Sequence, residues 1–327
     1  MSDNLPSVTV LIPTRPDLAD ILAVTAARRL DYPKDKLEIL VARGKQPSVQ
    51  RNAGMKAARG ELIYFLDDDS VADPSNVRRA VAHFADPKVK IVGGPNVCPP
   101  DAPVLEQVFA LVLSSWLAFG PSRARYTPVG TVRETGEKEL ILCNLIARRD
   151  AILELGGFNE ALYPNEENAL MDKLQKRGDK LLYDPEFLAL RRPRRTLKAF
   201  SKMLLNYGRG RAEQFRETPT FGSALNFVPP LFCVYLLTLP VVWATTFVPG
   251  AEWQRTAYHL PLLAYALAVL VQTLALISRG GFLRSICAAP LIILSHLLYG
   301  FGFWRGLFTR LTTPGERSDV PVKLESM

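Results

Sequence analysis

Short apolar runs alternate with helix-period stretches through the first two thirds of the chain. Residues 8–12 (VTVLI) are apolar or β-branched at alternate and intervening positions, the pattern of a strand buried on both faces. Residues 37–41 (LEILV), 62–66 (LIYFL), 89–92 (VKIV) and 180–183 (KLLY) read as further strands. Between them, 20–30, 48–59, 149–155 and 166–177 read as helices. In the second of these, Ser48 is expected at the cap and Gly60 at the close; Gly156-Gly157 and Gly178 should end the other two. Strands alternating with helices predict an α/β fold with a mainly parallel sheet and a binding site where the strands end.

After Glu217 the pattern changes. No Asp, Glu, Lys or Arg lies between Glu217 and Glu252, between Arg255 and Arg279, or between Arg284 and Arg305. A bilayer core of about 30 Å takes about 20 helical residues, so each gap is long enough to cross one. Spans are expected near 227–248, 256–278 and 285–303, which divides the chain into a domain at 1–217, a membrane domain at 218–310 and a polar tail at 311–327. The mean hydropathy of +0.07 then averages two unlike halves. Residues 104–119 are more apolar than a surface helix needs and read as a core helix or one lying in the membrane interface.

Polar residues up to Pro6, and an apolar run at 8–12 too short for a signal peptide, place the first domain in the cytoplasm. Cys98, Cys143, Cys233 and Cys287 are scattered, which suits a reducing compartment. The net charge of +8 comes largely from residues 191–216, just before the first span. That placement favours lipid headgroups, a phosphate-bearing substrate and the positive-inside rule over nucleic acid, whose binding modules are not recognisable here. Three spans would nevertheless put Arg305, Arg310 and Arg317 outside. The third segment is then alternatively re-entrant or interfacial. His259 and His296 read as interface or helix-packing residues rather than ligands.

Candidate chemistry sits at the strand ends. The third strand runs directly into Asp67-Asp68-Asp69, and like charges this close repel unless something neutralises them. Mg²⁺ or Mn²⁺ would do so while bridging nucleotide phosphates; an acidic turn leading into the next helix is the plainer alternative. Glu166 and Glu167 open a helix after Gly156-Gly157-Phe158-Asn159-Glu160. They read either as first-turn carboxylates favoured by the helix dipole or as a general base.

Together, VTVLIPTRP, RNAGMKAARGELIYFLDDD, GGFNEALYPNEENALMDKL and YGRGRAEQ resemble the family 2 glycosyltransferases of GT-A fold, in order and approximate spacing across about 7–217. The resemblance implies an inverting transferase using a nucleoside-diphosphate sugar and a divalent metal. It places Asp67 and Asp69 on the Asp-x-Asp motif, Asp69 as metal ligand and Asp67 nearer the ribose, with Asp68 between them at the nucleotide. Pro13, Thr14 and Arg15 would line the nucleotide, and Arg51 and Asn52 would stand near the donor. Glu167 falls on the family's base, with Glu166 as substitute. Two departures stand out: Ala42-Arg43-Gly44-Lys45 replaces the usual acidic turn, and Arg191 stands where many relatives carry a metal-binding His. Either the metal has fewer protein ligands or Arg191 supplies charge to the diphosphate.

Tyr207, Arg209 and Arg211 have glycines between them that would let a pyrophosphate or lipid phosphate approach closely. The expected protein is an inner-membrane, multi-pass enzyme facing the cytoplasm. It would take a nucleotide-sugar donor and a lipid-linked acceptor in polysaccharide biosynthesis. A processive synthase and a non-catalytic membrane scaffold are the alternatives.

Overall fold

The computed structural model describes residues 5–162, 166–217, 219, 221–245, 252–310 and 320–327. These divide into two compact units, the first within 1–102, 121–192 and 311–327, the second within 103–120 and 193–310. Residues 104–119 and 197–217 thus group with the apolar helices.

The strands are β1 (Val8–Thr14), β2 (Leu37–Arg43), β3 (Leu62–Leu66), β4 (Val71–Ala72), β5 (Val89–Gly93), β6 (Asn96–Val97), β7 (Arg133–Thr135), β8 (Asn144–Arg148), β9 (Lys180–Tyr183), β10 (Ala189–Leu190) and β11 (Lys323–Ser326). The main sheet has the order β11-β2-β1-β3-β8-β5-β9-β7, and β4-β10-β6 form a small second sheet. β1, β2, β3, β5 and β9 share one direction, but β8 lies antiparallel between β3 and β5. β7 and β11 close the two edges antiparallel. The sheet is therefore mixed rather than mainly parallel, because β8 enters its middle running against β3 and β5.

Five α-helices among the described residues belong to this unit: α1 (Leu22–Arg28), α2 (Pro47–Ala57), α3 (Asn76–His83), α6 (Arg149–Glu154) and α7 (Glu166–Lys176), numbered in chain order with α4 (Val104–Leu113) and α5 (Trp116–Phe119) of the second unit between them. The continuous apolar runs arise because both sheet faces are covered. Val10, Ile12, Tyr64 and Leu66 pack with Val24, Val77 and Phe84 on one side. Leu11, Ile63 and Phe65 pack with Met55, Phe158, Met171 and Leu174 on the other. Each such fully buried side chain contributes about 1.5–3 kcal/mol.

Two capping expectations change. Gln46, not Ser48, caps α2, its side chain accepting from Val49 N at 2.6 Å, with Pro47 in the first turn. α2 ends before Ala58, and Gly60 serves another need: a Cβ there would lie 2.4 Å from Thr9 N. Gly156, Gly157 and Gly178 have φ of 84°, 82° and 90°, as helix-ending glycines should.

The second unit comprises α4, α5, α8 (Leu197–Glu217), α9 (Val228–Thr245), α10 (Glu252–Gly280) and α11 (Phe282–Phe308). Three helical stretches are long and apolar enough to cross a membrane: Ala224–Ala244, Thr256–Gly280 and Phe282–Phe308. Residues 104–119 are not one helix, since the pair is bent by 59°. The break is satisfied from other helices: Leu117 N donates to Gln272 Oε1 at 3.1 Å, and Leu117 O meets His296 Nε2 at 2.9 Å. His296 Nδ1 in turn meets the Tyr265 hydroxyl at 2.7 Å, so His296 is a packing residue as expected.

The Tyr207–Arg211 segment is likewise not a turn; it lies inside α8. Its Gly208 exists for close helix contact, because a Cβ there would stand 2.0 Å from Tyr299 O on α11. Gly302 of α11 is held the same way, 2.1 Å from Leu205 O. Gly302→Val should therefore overpack this contact and destabilise the protein by about 1–3 kcal/mol. Thermal unfolding in detergent checks it, and an unchanged midpoint would show that the two helices are not in backbone contact.

Candidate active site

The C-terminal ends of β1 and β3, the body of α2, the first turn of α7 and the segment after β10 bring one set of charges together. Arg191 Nε meets Asp69 Oδ1 at 2.6 Å, and its Nη2 meets Asp67 Oδ2 at 2.9 Å. On the other side of Asp67, Oδ1 accepts from Arg51 Nη2 at 3.2 Å, and Arg51 Nη1 reaches Glu166 Oε1 at 3.0 Å. The result is a ladder in which carboxylate and guanidinium alternate from Asp69 to Glu166. Asp68 stands beside it, accepting from the Thr14 hydroxyl at 2.8 Å.

Burial differs along the ladder and sets its electrostatics. Asp69 is exposed, whereas Arg51 is 7% and Glu166 2% exposed. Glu166 Oε2 is buried without a hydrogen-bond partner among the described residues. Burial and the adjacent Glu167 charge push the Glu166 carboxyl well above the usual carboxylate range, against the pull of Arg51. Burial also opposes charge on Arg191, but Asp67 and Asp69 more than offset it and hold the guanidinium well above its ordinary value. Asp68 is raised by burial, with the Thr14 hydroxyl working the other way. Glu167, next along α7, is only half-buried.

The fit to a divalent cation rests on Asp67 and Asp69. They lie close enough for one guanidinium to bridge them, and Mg²⁺ or Mn²⁺ is commonly held by one or two carboxylates plus substrate phosphates. Among the described residues no group of three or more His, Cys, Asp or Glu could hold a metal, so nucleotide oxygens and water would complete the shell. With Asp68 beside them, Asp67 and Asp69 set three carboxylates against the two guanidiniums of Arg191 and Arg51, which leaves negative charge for a cation to neutralise.

Not every expected site residue faces this place. Asn52 donates to Phe158 O at 2.9 Å and Glu160 Oε1 at 2.8 Å, and accepts from Phe158 N at 2.9 Å. Its amide is used in clamping the Gly156–Glu160 loop to α2 rather than offered to a donor. Gly157 allows this approach, since a Cβ there would meet Asn52 Oδ1 at 2.6 Å. Pro13 is buried at the end of β1 and Arg15 is exposed beyond it. Tyr207, Arg209 and Arg211 lie on α8 of the second unit, where Arg209 Nε is 3.6 Å from Glu213 and Arg211 donates to Gln214 at 3.2 Å. Residues 163–165, the Tyr-Pro-Asn before Glu166, lie outside the described residues.

Two supports carry no sequence signal. Arg125, 8% exposed at the end of the 3₁₀ helix Gly120–Arg125, donates to Asn168 Oδ1 at 2.6 Å and so ties that segment to the first turns of α7. Glu325, which lies in β11 of the expected polar tail, accepts from Arg43 Nε at 2.8 Å in the place where the usual acidic turn is missing. Arg43 Nη1 also donates to Leu18 O at 2.8 Å, fixing the loop after β1.

The sequence profile described as "Glycosyl transferase family group 2" matches residues 62–305, well over half of the chain. The chain is 27% identical over 166 residues to a pre-mycofactocin glycosyltransferase of Mycobacterium tuberculosis, covering 50% of this chain and 34% of the relative. It is 28% identical over 206 residues to the succinoglycan biosynthesis protein ExoA of Rhizobium meliloti, covering 62% and 56%. It thus spans about a third and just over half of these relatives' lengths. Among solved structures it is similar to the mannosyltransferase PcManGT from Pyrobaculum calidifontis, in complex with GDP-Man and Mn²⁺, with a TM-score of 0.53. That match has 16% identity and covers 94% of this chain and 88% of the other, a likeness of fold.

Arg51→Met leaves Glu166 buried without its cation and should cost about 3–5 kcal/mol, the usual penalty for breaking a buried pair from one side. Adding Glu166→Gln should recover part of that loss in a double-mutant cycle of denaturant unfolding. Strict additivity would show that the pair is not coupled.

Proposed function

The chain belongs to the family 2 glycosyltransferases, and from that premise we propose that it transfers a sugar, with inversion, from a nucleoside-diphosphate sugar to a lipid-linked acceptor. The observation that carries this reading is the alternating ladder at the strand ends, which gathers carboxylates and guanidiniums where a diphosphate and its counter-ion would sit. The succinoglycan relative supports a place in cell-surface polysaccharide assembly. The long apolar helices support a membrane-borne acceptor such as a polyprenyl phosphate or diphosphate. The catalytic side is assigned to the cytoplasm, where nucleotide sugars and a reducing environment suit four cysteines that form no disulfide.

Asp69, exposed at the end of the ladder, would hold Mg²⁺ or Mn²⁺ together with Asp67. The ion, when bound, stabilises charge developing on the diphosphate leaving group. Arg191 turns its guanidinium from the two carboxylates toward that diphosphate, where its forked donors suit phosphate oxygens. Thr14 holds Asp68, Arg15 and Pro13 line the nucleotide side, and Arg51 keeps Asp67 in place from behind. Glu167, half-buried beside the closed-off Glu166, accepts the proton of the acceptor hydroxyl as it attacks the anomeric carbon. Glu166 positions Arg51. On α8, Arg209 and Arg211, with Tyr207, are assigned to the acceptor's phosphate.

Assay of the purified full chain with UDP, GDP, CDP and dTDP sugars, Mn²⁺ or Mg²⁺ and glycans carried on polyprenyl phosphate or diphosphate, whose hydroxyls are the acceptors, tests the reading. Glu167→Gln should lower kcat by roughly 10²–10⁴-fold, the usual contribution of a general base, with donor KM little changed. Wild-type turnover in that variant would remove Glu167 from the chemistry, and folded wild-type protein that turns over none of these donors would end the enzyme reading.

A further inference from the structure

The C-terminal strand constrains how the chain passes through a membrane. β11 pairs antiparallel with β2, from Lys323 opposite Arg43 to Ser326 opposite Leu40. Met327 N adds a hydrogen bond to Ile39 O at 3.0 Å, and Glu325 its ion pair with Arg43 at 2.8 Å. A hydrogen-bonded sheet cannot be divided by a bilayer, because backbone groups without partners in hydrocarbon cost several kcal/mol each. β11 therefore lies on the same side as β1 to β10. The chain between residues 192 and 320 crosses an even number of times, although three helical stretches in it are long enough to cross.

α8 identifies the one that does not. It carries Lys198, Lys202, Arg209, Arg211 and Arg216, and charges of this kind are costly at the bilayer centre, so α8 belongs at the surface. The second half of α11 is in backbone contact with it. Besides the Gly208 and Gly302 approaches, a Cβ on Gly306 would lie 2.4 Å from Arg209 O, and Arg216 donates to Gly306 O at 3.2 Å. That half of α11 is thereby held at the depth of α8.

Charge distribution leads independently to the same arrangement. If only α9 and α10 cross, Arg279, Arg284, Arg305 and Arg310 fall on the same side as the basic stretch 191–216. The far side is left with the connection between α9 and α10 and the residues flanking it. That is the positive-inside pattern, and the three-span arrangement breaks it at Arg305 and Arg310.

We propose that α9 and α10 form the membrane-crossing hairpin, that α11 does not cross, its second half being held with α8 at the membrane–water interface while His296 reaches Tyr265 of α10, and that the catalytic unit and the C-terminal strand share one face. The same parity applies to α4 and α5. β5 precedes them, β8 follows them, and the two strands pair, so the bent segment enters and leaves from one side. Its broken backbone is met by Gln272 and His296, as irregular backbone among apolar helices requires.

Sided labelling of the full chain in inverted and right-side-out membrane vesicles tests this. In a variant whose four cysteines are changed to Ser, single cysteines are placed at Arg59, Trp253 and Met327, all exposed. Arg59→Cys and Met327→Cys should react with an impermeant maleimide from one side and Trp253→Cys from the other. Met327→Cys reacting opposite Arg59→Cys would establish an odd number of crossings, and all three reacting from one side would remove the hairpin; either overturns the proposal. A spin label at Phe301 in phosphatidylethanolamine–phosphatidylglycerol vesicles should report a shallow depth on the face that carries Arg59→Cys. A label at Phe301 on the opposite face would make α11 a span and overturn it as well.

Discussion

The chemistry of the first unit depends on one constraint: carboxylates crowded at the ends of buried strands must share cations. Asp67 and Asp69 have Arg191 between them, and Asp67 and Glu166 have Arg51. No single element supplies this arrangement. β3 delivers the aspartates, α2 delivers Arg51, α7 delivers Glu166, and Arg191 arrives after β10. The ladder consequently reports whether the whole fold has closed. A buried ion pair of this kind is weak evidence for stability, since desolvation offsets most of the attraction. Its value lies in fixing which group faces which.

The supports around the ladder follow from that demand. Arg51 can reach both Asp67 and Glu166 only if α2 and α7 keep a fixed separation, and Asn52, one residue along, holds the loop that leads to α7. Arg125 steadies α7 from another direction through Asn168. Thr14 restrains Asp68, so the middle aspartate of the triplet stays out of the alternation. The exposed end at Asp69 and the buried end at Glu166 then have distinct characters. One end is open to solvent, and the other is buried and holds a carboxyl of raised proton affinity.

Much of this was legible in the sequence wherever a residue answers to its own neighbourhood. Strands such as β1 and β3 announce themselves because both faces are buried, and Asp67 to Asp69 because three like charges follow an apolar run. What stayed hidden depends on distant partners. β8 (NLIAR) is short and ends in Arg, so its central position comes from pairing with β3 and β5 rather than from propensity. Asn52 looks like a ligand-facing polar residue until the loop at Phe158 takes up its amide. The glycines around Arg209 suggest a phosphate turn, yet a helix carries glycine equally well where another backbone must approach, and only the position of Tyr299 distinguishes the two.

The C-terminal strand shows the same dependence at larger scale. An uncovered β2 would present a row of unpaired N–H and C=O groups, a template for pairing with another chain. β11 removes that edge, and Glu325 adds a carboxylate beside Arg43 where the turn itself has none. The strand is too short and polar to form alone, so its order is borrowed from β2. In return, the segment that leaves for the apolar helices is tied back to the sheet it came from. One four-residue pairing thus sets the edge of the sheet and the electrostatics of the turn after β2. It also sets the parity of every membrane crossing between its two strands, which is why a tail that reads as solvent-exposed filler constrains the topology more than any of the long apolar helices does.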